Sequence, residues 1–284
     1  MKPDVSVVMG VYGEDEATLK RSIGSILNQS FKNLEFIVIL DNPKNVVAEN
    51  IITSLQKRDK RIHFIKNNKN LGASAARNKG IALAKGKYIA IMDADDYSYP
   101  SRIKKQYEHV TKHPEVDFLF AQLRIVDEKR NELSARYPSK TVLNSEKDLF
   151  AQGLCLPHPL QFAKANLMKK YKYDSSLLRG EDWDLWLRTF RKYNYAIIPE
   201  VLMDYTLPQH EKIRSRILKG KKCSYWSFMG LNRHVMEYSN TRSFWLFYFD
   251  SLKRFLFFRL PYFVLFPIFK LHDALFRRHL GSGW

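Results

Sequence analysis

Short apolar runs alternate with longer amphipathic segments along the first hundred residues of the chain. The apolar runs are rich in β-formers and predict buried strands, which cover residues 5–9, 34–40, 62–66 and 88–92. The intervening segments place apolar residues at helical spacing and predict helices, which cover residues 16–29, 46–58 and 70–84. This alternation predicts an α/β fold with a Rossmann-like, mostly parallel, doubly wound sheet.

The pattern becomes less regular after Pro100. Strands are expected at 118–126 and 197–205, helices at 102–112, 147–152 and 181–193, and a loop at 137–142. From about residue 215 the chain becomes basic and aromatic, and its spacing predicts a helical extension. The chain therefore divides into an α/β part and a C-terminal part of different character.

Three carboxylates, those of Asp93, Asp95 and Asp96, directly follow the predicted strand 88–92. In open α/β sheets, ligands bind at the carboxyl ends of the strands. Crowded acids repel one another unless a cation lies among them, and hard divalent cations are bound by carboxylates together with substrate phosphates. Asp41 ends the strand 34–40 at the same expected edge, although Asp-Asn-Pro is also good turn chemistry. A metal–diphosphate site is the hypothesis that follows.

The charge of the chain is unevenly distributed. The formal net charge is +18, and residues 210–284 hold 14 lysines and arginines against 4 acidic residues, which places +10 in the last quarter. The aromatic residues of 243–260 surround a narrow polar stripe of Asp250, Lys253 and Arg254. Basic and aromatic residues together favour an interfacial helix on an anionic membrane, although packing on the catalytic part or on a second subunit of a homo-oligomer is the alternative.

No signal peptide or membrane-spanning helix is expected. The N-terminus leads directly into a strand, and the apolar stretch 260–269 is short and interrupted by Pro261 and Pro267, whereas a span needs roughly 20 apolar residues. Cys155 and Cys223 have neither zinc nor disulfide-motif spacing, which favours a reducing compartment. The expected location is cytoplasmic, at the inner face of the cell membrane.

Several motifs together resemble family 2 glycosyltransferases with the GT-A fold. They are VSVVMGVY at 5–12, SILNQS at 25–30, LGASAARNKG at 71–80, GKYIAIMDADD at 86–96 and GEDWDLWLR at 180–188. The resemblance implies a GT-A catalytic domain over residues 1–214, with a nucleotide-binding half at 1–100 and an acceptor half at 101–214. The basic, aromatic segment 215–284 is then an appended helical extension.

The resemblance also assigns roles to individual residues. Asp41 matches the position that contacts the nucleobase, usually uracil. The residues that match the rest of the nucleotide-sugar site are Gly10, Val11, Tyr12, Arg77, Asn78, Asp93 and Ala94.

The metal and the catalytic base are implied in the same way. Asp95 and Asp93 match the DxD motif that binds Mn²⁺ or Mg²⁺, with Asp95 as the more direct ligand, and His210 is a candidate further ligand. Asp182 matches the general base of inverting members, with Glu181 beside it. A helix N-terminus helps to keep Asp182 ionised, although both acids could simply complement the helix dipole.

The expected function is therefore an inverting, metal-dependent glycosyltransferase that uses a nucleotide-diphosphate sugar, with UDP as the expected nucleotide. The acceptor would be a hydroxyl of a glycan or a lipid-linked oligosaccharide in cell-surface polysaccharide synthesis. His158 either lines the acceptor site or belongs to a rigid turn between Pro157 and Pro159. A sugar-nucleotide nucleotidyltransferase is one alternative, but residues 10–15 form an acidic loop where such enzymes carry a basic one. A basic nucleic-acid-binding protein is the other alternative, but no recognition motif is present, and nucleic acid is not an expected partner.

Overall fold

The computed structural model describes residues 2–136, 142–143 and 156–207, together with single positions in the C-terminal quarter. The chain divides into two compact units, Met1–Leu207 and Pro208–Trp284. The predicted helix 147–152, the candidate ligand His210 and nearly all of the segment 215–284 lie outside the described residues. Within the described residues, no helix has both the length and the apolar character needed to cross a bilayer.

The first unit contains ten strands, six α-helices and one 3₁₀ turn within its described residues. The strands are β1 (Val5–Val11), β2 (Leu34–Leu40), β3 (Ile62–Lys66), β4 (Tyr88–Asp93), β5 (Tyr97–Ser98), β6 (Phe118–Val126), β7 (Glu132–Arg136), β8 (Val142–Leu143), β9 (Phe162–Lys164) and β10 (Tyr195–Thr206). The helices are α1 (Glu16–Leu27), α2 (Val46–Arg58), α3 (Ala73–Leu83), α4 (Arg102–Lys112), α5 (Ala165–Lys170) and α6 (Glu181–Thr189). The 3₁₀ turn covers His158–Leu160.

One sheet holds all ten strands, in the order β3-β2-β1-β4-β9-β6-β10-β5, with β7 paired to β6 and β8 paired to β10. The pairs among β3, β2, β1 and β4 are parallel, as the sequence predicts. Strand β9 runs antiparallel to both β4 and β6, so β4 and β6 point in the same direction, and β10 is parallel to β6. The carboxyl ends of β1, β2, β4, β6 and β10 therefore share one edge of the sheet.

Burial explains the continuous apolar strands. All seven residues of β2 are buried, as expected where helices cover both faces of a parallel sheet. Helix α3 packs closely on this sheet at Gly80, because a Cβ there would come within 2.6 Å of Val8 Cγ1. Helices α1 and α2 begin at capping side chains, since Asp15 accepts a hydrogen bond from the Thr18 N–H and Asn45 accepts one from the Ala48 N–H.

Every strand and helix that the sequence predicts within the described residues is present in the structure, and five of them have the predicted bounds. Strands β2, β3 and β6 and helices α2 and α4 have the predicted bounds. The predicted loop 137–142 is wrong at Val142, which pairs with Ala196 of β10 and so forms a strand. The helix predicted to end at residue 193 ends at Thr189, because the chain turns there toward β10 and the Asn194 N–H donates to Asp117. Strands β5, β7 and β9 and helix α5 were not predicted.

Candidate active site

Asp93–Asp96, called the acidic loop from here on, lie where β4 ends, at the edge of the sheet that the carboxyl ends of the strands share. Asp93 is the last residue of β4, and its carbonyl accepts a hydrogen bond from Ser22 Oγ at 3.1 Å. Arg21 donates from Nη2 to the carbonyl of Asp95 at 3.2 Å. Both donors lie on α1, so this helix fixes the backbone of the loop and leaves the carboxylates of Asp93 and Asp95 directed elsewhere. The intervening Ala94 is buried.

Asp93 is paired with Arg77 of α3, and Nη2 of Arg77 lies 2.9 Å from Oδ1 of Asp93. Burial is the largest single influence and alone would raise the pKa of the Asp93 carboxyl, but the charge and hydrogen bond of Arg77, together with other neighbouring groups, outweigh burial and lower that pKa. Asp93 is therefore ionised at neutral pH and already has a cationic partner.

Among the described residues, Asp95 and Asp96 have no such cationic partner in hydrogen-bond contact. Removal from bulk water in the cleft, followed by the charge of Asp93, raises the pKa of Asp95 to about 6, although the side chain still reaches the surface. Burial, followed by the charges of Asp95 and Asp93, raises the pKa of Asp96 as well. Asp96 Oδ1 accepts the Thr206 N–H at 3.0 Å, whereas its buried Oδ2 has no hydrogen-bond partner among the described residues. The loop thus carries more negative charge than its neighbours compensate.

The acidic loop is suited to a hard cation whose coordination is completed by oxygen atoms of a bound substrate. The available donors are carboxylate oxygens, which Mg²⁺ and Mn²⁺ prefer. Within the part of the chain that the structure describes, no group of three histidine, cysteine, aspartate or glutamate side chains could hold a metal ion alone. Mg²⁺ is commonly bound by one or two carboxylates plus substrate phosphates, so an incomplete protein donor set is the expected arrangement.

Three residues predicted to bind the nucleotide lie at the end of β1 or directly after it, between Asp41 and the acidic loop. Gly10 is opposite Asp93 in the register of β1 with β4, and Val11 is opposite Leu40 at the end of β2. Tyr12 follows directly; its side chain is half exposed, and its carbonyl accepts hydrogen bonds from two side-chain amides of the β2–α2 loop. The end of β1 therefore forms the floor of a crevice between Asp41 and the acidic loop.

Asp41 has a structural role that the sequence did not predict. Its carboxylate is buried and accepts three hydrogen bonds: Oδ1 from Asn67 Nδ2 at 2.7 Å and from the Leu71 N–H at 2.9 Å, and Oδ2 from the Gly72 N–H at 2.8 Å. Asp41 thus holds the loop between β3 and α3, at the start of the helix that carries Arg77. A carboxylate has about four acceptor positions, so one stays available for a ligand.

Arg77 connects the two halves of the site. While Nη2 binds Asp93, Nη1 lies 3.0 Å from Oε1 of Glu181 at the start of α6. The neighbouring Asn78 binds the backbone of Tyr173, donating to its carbonyl at 2.8 Å and accepting from its N–H at 3.0 Å. Helix α3 therefore contributes one charged side chain to the site, that of Arg77, and one structural anchor, Asn78.

Helix α6 begins with a glycine in a left-handed conformation. Gly180 has φ 75° and is followed by Glu181 and Asp182 in the first turn. Burial, followed by the charge of Glu181, raises the pKa of Asp182 to about 7, while Arg77 and the Trp183 N–H act in the opposite direction. A carboxylate with a pKa near the working pH is well matched to general-base catalysis.

His158 is part of a rigid turn and not an open acceptor surface. The ring is buried, and its Nε2 lies 2.9 Å from the hydroxyl of Tyr173. Burial and, after it, the charge of Arg77 lower the pKa of His158 to about 4, so the ring is neutral. Gln161 also donates to the Tyr173 hydroxyl, at 3.2 Å, and accepts from Trp186 Nε1, at 2.8 Å, which ties the turn to α6.

Three supporting residues were missed from the sequence: Asn67, Tyr173 and Asp204. Asn67 follows β3 as Asp41 follows β2, so its strand-end position was a usable signal. Tyr173 lies in an irregular segment with no such signal. Asp204 is buried on β10 and accepts hydrogen bonds from Tyr99 Oη at 2.6 Å and from Arg124 Nε and Nη2 at 2.8 and 3.0 Å. It therefore anchors the chain that leaves the acidic loop.

Comparisons with known proteins bear on the family and the fold of the chain. The model of the family described as Glycosyl transferase family 2 matches residues 6–172. An uncharacterized glycosyltransferase of Methanocaldococcus jannaschii is 41% identical over 96% of this chain and 94% of its own length. The O-antigen biosynthesis glycosyltransferase WbnJ of Escherichia coli is 26% identical over 78% of this chain and 86% of its own length.

Solved structures show the same fold. The crystal structure of S. aureus TarS 1–349 in complex with UDP-GlcNAc has a TM-score of 0.61 and 18% identity, and covers 90% of this chain and 80% of that chain. The architecture is thus that of GT-A glycosyltransferases, as the resemblance implied. With the family model matching more than half of its length, the chain belongs to glycosyltransferase family 2.

Proposed function

We propose that this glycosyltransferase is inverting and metal-dependent, and that it transfers a sugar from a UDP-sugar to an acceptor hydroxyl. The observation that carries the proposal is the position of Arg77, which contacts Asp93 of the acidic loop and Glu181 beside Asp182. The groups expected to bind the diphosphate and to activate the acceptor therefore border one space. Family membership favours glycosyl transfer over the nucleotidyl transfer and nucleic-acid binding considered from the sequence.

The donor binds in the crevice at the carboxyl ends of β1, β2 and β4. Gly10, Val11 and Tyr12 line its floor, and the remaining acceptor position of Asp41 is available to a base N–H. Arg77 and Asp93 face the ribose and diphosphate. The UDP-GlcNAc bound to the structurally similar TarS supports a uridine nucleotide. Because Asp41 is buried and has one remaining acceptor position, it makes one contact with the base.

Asp95 is the principal ligand of Mn²⁺ or Mg²⁺ in this proposal. Asp93 already has Arg77 as its partner and is therefore the secondary ligand. Thr206, which donates to Asp96, precedes the candidate ligand His210 by four residues in the sequence. When bound, the cation neutralises negative charge that develops on the leaving diphosphate.

Asp182 acts as the general base. Its carboxylate takes the proton of the acceptor hydroxyl while the hydroxyl oxygen forms a bond to the anomeric carbon. The bond from that carbon to the diphosphate oxygen breaks on the opposite face, and the nucleoside diphosphate leaves with the electron pair. A single displacement of this kind inverts the anomeric configuration. The pKa of about 7 for Asp182 supports this role, because the base is substantially ionised at neutral pH.

The acceptor is a hydroxyl of a glycan or a lipid-linked oligosaccharide at the cytoplasmic face of the membrane. The similarity to an O-antigen biosynthesis glycosyltransferase supports cell-surface polysaccharide synthesis. Residues 1–214 form the catalytic domain in this proposal, and 215–284 form the membrane-associated extension. Within that extension Phe249 and Leu256 expose 51% and 55% of their surface, as residues that insert into an interface would.

The direct test is a panel of nucleotide sugars assayed for binding and hydrolysis with Mn²⁺ or Mg²⁺. Wild type should bind at least one UDP-sugar in a metal-dependent manner, and Asp95→Ala should lose the dependence on metal. Glu108→Ala, an exposed acid on α4, is the matched control and should behave as wild type. The proposal fails if no nucleotide sugar binds, or if Asp95→Ala and wild type respond identically to metal.

A further inference from the structure

A surface of lysines and tyrosines lies where α5 and α6 end. We call it the lysine–tyrosine face and define it as Lys170, Tyr171, Lys172, Lys192 and Tyr193. The two tyrosine rings pack edge-to-face with centroids 5.5 Å apart, and their hydroxyl oxygens are 3.3 Å apart. Nζ of Lys170 lies 5.2 Å from the centroid of the Tyr171 ring, and Nζ of Lys192 lies 6.0 Å from it. Two segments distant in sequence thus build one compact basic and aromatic surface.

The described residues around this face do not compensate its positive charge. Among the described residues, Lys170, Lys172 and Lys192 have no carboxylate oxygen within 4.0 Å, and all three side chains are exposed. Two described acids near the face already have partners. Asp117 binds Lys164 at 2.8 Å, and Asp184 binds Arg188 at 2.8 Å. Like charges held close together favour a partner that brings negative charge.

The face is close to the site along the backbone. Lys172 directly precedes Tyr173, whose hydroxyl contacts the buried His158. At the other end, α6 carries Asp182 in its first turn and ends at Thr189, a span of roughly 10 Å at 1.5 Å per residue. Lys192 follows three residues later. The face and the candidate base therefore lie at opposite ends of α6, with the face next to the amino ends of β6 and β10.

We propose that the lysine–tyrosine face docks on an anionic membrane surface, with the lysines at the lipid phosphates and the tyrosines at headgroup depth. Tyrosine is enriched at membrane–water interfaces, and each basic residue near an anionic leaflet strengthens binding. Single-stranded nucleic acid would need free ring faces for stacking, whereas here the tyrosines pack on each other and ammonium groups lie near the Tyr171 ring. The inference goes beyond the proposed function, since it gives the catalytic unit its own membrane contact.

The test measures flotation of the full chain with vesicles of phosphatidylcholine, with and without phosphatidylglycerol. Lys170→Gln combined with Lys192→Gln should weaken partition to the anionic vesicles roughly 30-fold, about fivefold for each lysine removed. The control combines Lys57→Gln with Lys60→Gln, two exposed lysines at the end of α2. They lie near β3, which is at the other end of the strand order from β10. The difference between the two variants should disappear at about 1 M salt, where the Debye length is about 3 Å.

Hydrolysis of the donor in the absence of vesicles separates this proposal from the proposed function, because neither pair of lysines belongs to the active site. Unchanged hydrolysis together with the selective loss of anionic-vesicle binding supports the membrane face. Equal partition of the two variants, or loss by the same factor in both, overturns it. Selective loss of binding to single-stranded oligonucleotide, with vesicle binding retained, also overturns it and identifies nucleic acid as the partner.

Discussion

The guanidinium of Arg77 is hydrogen-bonded to Glu181, with 3.0 Å between Nη1 and Oε1, although 104 positions separate the two residues in sequence. The same guanidinium binds Asp93 through its other terminal nitrogen. Arg77 is only 12% exposed, and no lysine could reproduce its two-directional fork. One side chain thus fixes the distance between the acidic loop and the first turn of α6.

Substitution of Arg77 should therefore impair both halves of the reaction. Arg77→Lys can contact one acid but not both, and misplacement by about 1 Å can reduce a rate about 100-fold, so we expect kcat/KM for the donor to fall by that order. Measurement of kcat and KM separately checks this, because loss of the bridge should change both. A variant that changes only KM would show that Arg77 serves the donor alone.

The pH dependence of transfer should report the environment of Asp182. The base must be ionised to accept a proton, so kcat/KM should rise with pH through about 7 and then level off. Asp182→Asn should lose about 10²- to 10⁴-fold in kcat, which is the usual contribution of a general base.

Two substitutions next to Asp182 should shift the rising part of the pH profile of kcat/KM, its acid limb, in opposite directions. The charge of Glu181 raises the pKa of Asp182, so Glu181→Gln should shift the limb to lower pH. The charge of Arg77 lowers that pKa, so Arg77→Gln should shift the limb to higher pH. Profiles of kcat/KM recorded for the three proteins check the sign of each shift. Identical limbs would exclude Asp182 as the group that titrates.

Asp41 should prove to be both a structural and a nucleotide-binding residue. Asp41→Asn replaces an acceptor by a donor that faces the N–H groups of Leu71 and Gly72 or the amide of Asn67, which should cost about 1–3 kcal/mol of stability. The matched control is Asn67→Ala, which removes one of these hydrogen bonds without altering the acid. Urea unfolding and UDP titration of both variants separate the two roles. A loss of UDP affinity that is equal in both variants would leave Asp41 with the structural role alone.

The parallel half of the fold could be predicted because its signals are local. The apolar residues of β2, interrupted once by Glu35, and the helical spacing of α2 each lie in one continuous segment, and both elements have the predicted bounds. Strand β9 has three residues, too few for any periodicity, and it forms only because β4 and β6 flank it. Tertiary pairing, not local pattern, determines such strands.

The candidate site could be predicted as a set of residues but not as a set of contacts. Strand ends predicted that Asp41 and Asp93 share an edge, because parallel strands all end there. The contacts of these acids join separate segments, and no local pattern specifies which side chains meet: Arg77 contacts Asp93, and the β3–α3 loop contacts Asp41. Tyr173, which organises His158 and Asn78, was missed for the same reason.

Gly180 should be essential to the placement of Glu181 and Asp182. It precedes α6 with φ 75°, a conformation that costs an L-residue with a side chain roughly 1–2 kcal/mol. We expect Gly180→Ala to lower stability by about that amount and to reduce kcat, because relief of the strain would rotate the first turn of α6 away from Arg77. Thermal unfolding and steady-state kinetics measure the two effects.

Gly24 provides the matched glycine control for this prediction. It lies inside α1, where an added Cβ would meet nothing within 4 Å, so Gly24→Ala should stabilise the protein by about 0.5–1 kcal/mol and leave kcat unchanged. The two alanine variants should therefore change stability in opposite directions. If Gly180→Ala keeps the stability and kcat of wild type, the left-handed start of α6 does not position the candidate base.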